Sequence, residues 1–263
     1  MDTSVHIELL EKECHTFGGL IVDAEMDADV PSCPGWTTAD LIRHLTGVQR
    51  FWGAIAESLL DDPTGAEEPD AGPSTEPVDA ALLSIGFQSA SHRLIAALRG
   101  HDPADECWTW AYGVGTIAWV ARRQHHEAVI HRADLELASG RTPGIDDATA
   151  LDGIDELIDV MLDGFPEWGR FEPGSVVEIA PDGSSPRHVE VGRFVGTSPT
   201  TGTDYDDPAV RRVTATEPAA SIAGSASAID LWMWGRGALA DVTTDGDLRV
   251  VDRLRAAIEM DTQ

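Results

Sequence analysis

Apolar and polar positions along the chain change period once, near residue 143. Before that point the spacing is helical. Val5, Leu9, Leu10, Phe17, Leu20 and Ile21 recur at three and four residues, which predicts a first helix over roughly 5–24. In "CPGWTTADLIRHLTGVQRFWGAIAESLL", Pro34 and Gly35 punctuate, Thr37 can cap and Asp40 sits three residues on, so a second helix begins there. The acidic, Pro- and Gly-rich 61–77 predicts a surface loop. A third helix is expected over about 78–98, ending at Gly100. A loop with Trp108 and Trp110 follows, and then a helix over about 116–139, free of proline and glycine and stopped by Gly140.

Beyond "SGRTPGI" the pattern predicts one more helix near 148–162. Strand-like runs follow at "SVVEIAPD", "RHVEVGRF" and "VRRVTATEP", broken by turns such as Asp182-Gly183. The remainder reads as a strand, a helix across Trp232 and Trp234, a turn at Asp245-Gly246 and a closing amphipathic helix. The fold class that follows is α+β in two domains: a four-helix bundle over 1–143 and a smaller α+β domain over 144–263.

Composition narrows the function classes. A net charge of -28 would repel a phosphate backbone, so no nucleic-acid partner is expected. No apolar stretch approaches a membrane span, and the N-terminus lacks the pattern of an export signal, so the expected compartment is the cytoplasm with no membrane partner. Three widely spaced cysteines, Cys14, Cys33 and Cys107, form no C-x-x-C pair and are read as reduced, structural thiols.

The segment "HHEAVIH", residues 125–131, holds three of the nine histidines. At 100° per residue, Glu127 and His131 point nearly the same way, while His126 points about 140° from His131. Glu127 and His131 can therefore share one divalent ion, with His44, at the edge of the second helix's apolar face, as a third ligand. Asp134 lies on the same stripe and is placed to orient a ligand. From the residues alone, an exposed i,i+4 pair at 127/131 and a hydrogen-bonded helix-edge His44 stand as alternatives. His125 and His126 are read as surface side chains or as partners that orient a ligand, and Trp36, Trp52 and Trp119 as core or pocket wall.

Taken in order, "CPGWTTADLIRHL", "RRQHHEAVIHRADLELASG", "TALDGIDEL" and "DLWMWGR" resemble the mycothiol-dependent maleylpyruvate isomerase family over nearly the whole chain. The resemblance implies a DinB-like bundle holding a divalent metal, usually zinc, on His44, Glu127 and His131, with a sterol-carrier-like domain behind it. It also implies a low-molecular-weight thiol, mycothiol or an equivalent, as cofactor, and a small electrophilic, anionic substrate such as maleylpyruvate. The reaction expected is isomerisation or S-transfer. Arg236, in the matching "DLWMWGR", and Arg123 are the candidates to hold substrate charge, with Arg122 beside them; structural salt bridges are the plainer role for each. A metal-binding or thiol-sensing protein without turnover, and a metal-dependent hydrolase, are the other function classes. The assembly expected is a monomer or homodimer.

Overall fold

The computed structural model describes residues 1–69, 72–74, 78–214 and 217–261. Parts of the loop expected at 61–77 and of the strand expected at "VRRVTATEP" lie outside them. The chain divides into two compact units, Met1–Pro143 and Gly144–Gln263.

The first unit is built from four long helices, α1 (Thr3–Ile21), α2 (Thr38–Ser58), α3 (Ala80–Gly100) and α4 (Ile117–Ala138). Both α1 and α2 pack against α3 and against α4, so helices consecutive in sequence, α1 and α2, lie across a diagonal. The shared core includes Leu10, Phe17, Leu45, Phe87, Leu94 and Ile117, all buried to within 1%. The start of α2 is fixed by a reciprocal cap: Thr37 Oγ1 accepts from the Asp40 N–H, and the Asp40 carboxylate accepts from the Thr37 N–H. At α4, Thr116 Oγ1 accepts from the Trp119 N–H, and Gly140, at φ 67°, takes the left-handed turn that ends the helix.

Fifteen of the 22 residues of α4 are buried, polar ones included, because the helix has α1 on one side and α2 on another. Its polar side chains therefore face inward and must find partners there. The segment expected as a loop around Trp108 and Trp110 instead contains a hairpin, β1 (Glu106–Thr109) with β2 (Gly113–Thr116). Trp108 stacks at 5.9 Å on Trp52 of α2, and Trp119 of α4 lies at 5.5 Å from Trp52. Packing, rather than a strand-like pattern, holds this hairpin in place.

The second unit carries a five-stranded sheet in the order β5-β4-β3-β6-β7. Its strands are β3 (Gly169–Pro181), β4 (Arg187–Thr197), β5 (Asp204–Val213), β6 (Ala220–Gly224) and β7 (Thr243–Gly246). All neighbours are antiparallel except β3 with β6. Helices α5 (Asp147–Glu156), α6 (Ala226–Met233) and α7 (Leu248–Asp261) complete it, with α7 packed across β5, β6, β3 and β4. The buried faces bring Val177, Ile179, Val189, Ile222, Leu254 and Ile258 together. The last turns expected of the helix near 148–162 widen into a π-helical segment, Leu157–Leu162. The expected turn at Asp245-Gly246 is the end of β7, whose four residues are too few to show an alternating pattern.

The α+β reading of the chain holds. No helix among the described residues is long and apolar enough to cross a membrane.

Candidate metal site

His44 comes from the middle of α2, and Glu127 and His131 come from one face of α4, a turn apart. His131 Nε2 lies 3.1 Å from Glu127 Oε1, and His44 Nε2 lies 3.7 Å from the same oxygen. The two imidazole rings meet edge to face with centroids 5.0 Å apart. One donor atom from each of the three residues lies within 4.8 Å of the others. Around a tetrahedral ion with bonds of about 2.0–2.1 Å, donor atoms stand about 3.3 Å apart, so the observed separations fit such an ion with small adjustments.

The surroundings determine which atoms face inward. Asp134, fully buried, lies with Oδ2 2.9 Å from His131 Nδ1, so Nδ1–H donates there and Nε2 is the nitrogen turned toward Glu127, where it donates a proton in the metal-free chain and could offer its lone pair to an ion. Asp134 is itself held by the Ser32 hydroxyl at 2.5 Å and by the Cys33 thiol at 3.7 Å. Both belong to the connection between α1 and α2, which sequence spacing could not bring to α4. The Arg123 guanidinium donates to Glu127 Oε2 at 2.7 Å, leaving Oε1 to face the histidines. Trp36 packs edge to face on His44 at 4.9 Å, and His44 Nδ1 is buried without a hydrogen-bond partner among the described residues. Packing against Trp36 on one side and the facing Glu127 carboxylate at Nε2 therefore orient that ring.

Electrostatics couples the group. Burial by itself would raise the Glu127 carboxyl. The charge and hydrogen bond of His131, the facing His44 ring and the charge of Arg123 outweigh it and hold Glu127 well below the usual carboxylate range. Burial by itself would lower His131, but the facing carboxylates of Glu127 and Asp134 push it up to about 9. A dication at this place would substitute for that proton, since an imidazole that binds a metal must be neutral.

The remaining candidates fall as follows. Arg123 is buried beside Glu127, in an ion pair along α4. Arg122 is half-buried on the same helix. Arg236 belongs to the second unit, just after α6, where its Nη1 donates to the Trp234 carbonyl. His125 and His126 correct the sequence reading: neither is a surface side chain, being 0% and 1% exposed, and they turn toward α1. Their polar character suggested a solvated face, but α4 has neighbours on more than one side. Of the cysteines, Cys14 and Cys107 are buried with their thiols pushed up to about 11, in both cases chiefly by burial. Both are inert as nucleophiles near neutral pH.

The family models align with both units. The mycothiol maleylpyruvate isomerase N-terminal domain matches residues 8–136, and the C-terminal domain of the same family matches 148–253. Comparison with the curated proteins found no match. Among solved structures, the mycothiol-dependent maleylpyruvate isomerase and a histidine-to-alanine variant of it each align with a TM-score of 0.62 at 15% identity, covering 93% of both chains. That likeness carries the fold. The two domain models, in order and spanning nearly the whole sequence, carry the family: the chain belongs to the mycothiol maleylpyruvate isomerase family.

Proposed function

We propose that this protein is a thiol-dependent isomerase that turns the cis double bond of maleylpyruvate, or of a closely related anionic electrophile, into the trans form. Mycothiol is the thiol of this reading. A divalent cation of the zinc class is its metal, held by His44, Glu127 and His131. Family membership supports the reaction class. The observation that carries the site is the convergence of two imidazole nitrogens and one carboxylate oxygen, from two helices, with a buried aspartate fixing the tautomer of one ring.

When bound, a zinc-class dication would lower the pKa of a coordinated thiol, so that the nucleophilic thiolate is available at neutral pH. The chain's own residues do the rest. Asp134 keeps the His131 Nδ1 proton, and Arg123 occupies Glu127 Oε2, so the two α4 ligands are held before anything binds. Three protein donors leave coordination open for an incoming group, the arrangement of catalytic rather than structural zinc sites. In the reaction, the thiolate sulfur adds to the conjugated double bond and electrons move onto the substrate carbonyl as an enolate. The former double bond rotates as a single bond. Return of the electrons then expels the thiolate and leaves the trans alkene, with no net redox change. Within the first unit, Arg123 is the side chain we assign to the developing negative charge. Arg123 would act on it through Glu127, the group it touches. The reading requires a reducing compartment such as the cytoplasm, in which the cofactor stays a thiol.

The test is consumption of maleylpyruvate by metal-loaded protein with and without mycothiol. Turnover only when thiol is present, with fumarylpyruvate as product, is the expected result. Accumulation of a stable thiol adduct would make the protein an S-transferase, and cleavage of the substrate with addition of water and no need of thiol would make it a hydrolase. No turnover under any condition, with thiol altering only stability, would mark a sensor and overturn the proposal.

A further inference from the structure

On the side of α4 turned away from His131, three more histidines come together. His6 of α1 meets His125 and His126 of α4, and the three are 3%, 0% and 1% exposed. His6 Nδ1 stands 3.1 Å from His125 Nδ1. The ring centroids lie 5.3 Å (6–125), 6.0 Å (6–126) and 4.8 Å (125–126) apart. One nitrogen from each ring lies within 4.8 Å of the other two. None of these side chains takes part in the site formed with His44.

Two Nδ1 atoms facing each other at 3.1 Å can share at most one proton between them. One nitrogen from each ring stands close enough to the other two for a single cation to bind all three at once. With imidazole as the donor on every residue and no carboxylate in the group, the chemistry favours zinc, copper, nickel or ferrous iron over magnesium or calcium. Two helical turns along the same interface, Arg132 of α4 pairs with Glu13 of α1, both buried, so α1 and α4 are already cross-linked there by polar contacts. A metal at the histidine cluster would add a second cross-link of the same kind.

We infer that His6, His125 and His126 form a second metal site, which takes a zinc-class dication on three imidazoles and fastens α1 to α4 independently of the His44, Glu127 and His131 set. Binding there is coupled to the packing of the two helices, so its principal effect is on stability.

The experiment uses the full chain carrying both His44→Ala and Glu127→Ala, titrated with Co2+ and then dialysed. Visible Co2+ absorption, elemental analysis and thermal unfolding are the readouts. The expected result is about one retained equivalent of Co2+ and a raised melting midpoint, with both effects lost when His6→Gln is added. The double variant leaves the histidine cluster intact, so its failure to retain Co2+ while folded by circular dichroism would overturn the inference. Retention undiminished by His6→Gln and by His126→Gln, each tested singly, would overturn it equally. A substitution that unfolds the chain is replaced by the other, and the intact cluster alone still decides the question.

Discussion

At the scale of single residues, protons and metal compete for the same atoms. His131, ordinarily near 6.5, is raised to about 9 in the folded, metal-free chain. A folded pKa above the unfolded one contributes stability that is full below about 6.5 and is lost as pH rises through about 9. Metal-free protein should therefore lose stability steadily over that interval, read as a falling urea midpoint. Metal uptake in the same interval should release close to one proton from His131, which calorimetry in buffers of different ionisation enthalpy measures directly. Asp230 in α6 offers an independent case. It is 1% exposed, its Oδ1 has no hydrogen-bond partner among the described residues, and burial, with Glu156 and Asp152 adding repulsion, raises its carboxyl well above the usual value. The stability this group contributes is present below its unfolded pKa, near 3.8, and is lost as pH rises through its folded value. Asp230→Asn should raise stability at pH 7–8 by on the order of 1–3 kcal/mol, read as a higher melting midpoint, and flatten its pH dependence.

Glu127 and His131 are legible as a pair in the sequence because they share one face of one helix. Helix phase alone leaves His44 at the edge of an apolar face, and it is the family resemblance that joins it to them. His6, Ser32 and Cys33 are not legible, since no spacing within one segment tells which face of α1, or which part of the α1–α2 connection, meets α4. His125 and His126 mislead for a related reason: a polar run reads as solvated unless the helix is known to be enclosed.

At the scale of elements, long helices with caps and glycine stops are plain from pattern, as Thr37 with Asp40 and Gly140 show. The short β1–β2 hairpin and β7 are not, because four-residue strands held by tryptophan packing or by one neighbour carry no period of their own. The beginning of β3 is hidden by Pro173-Gly174, which sits at an irregularity in its pairing with β4 between Glu172 and Ser175. There the backbones run so close that a Cβ on Gly174 would stand 1.9 Å from the Val191 carbonyl oxygen. Gly174→Ala should accordingly lower stability by about 1–3 kcal/mol. Thermal unfolding checks this, and an unchanged midpoint would mean that the bulge can open without cost.

For the whole molecule the governing quantity is charge. A net charge of -28 on 263 residues opposes compaction, and buried ion pairs such as Arg132 with Glu13 are screened far less than surface repulsion. Raising ionic strength from about 0.01 M to about 0.15 M, which shortens the Debye length from about 30 Å to about 8 Å, should raise the melting midpoint; a fall would mean that exposed salt bridges outweigh repulsion. The same charge makes specific cations necessary wherever an anionic substrate is held. The central claim is that a cation at His44, Glu127 and His131 has room for a thiol sulfur. It is tested most directly by adding mycothiol to Co2+-loaded protein and watching for a sulfur-to-cobalt charge-transfer band. The account predicts the band in the unmodified chain and its loss in Glu127→Ala and in His44→Ala. A band of full strength in both variants would contradict it.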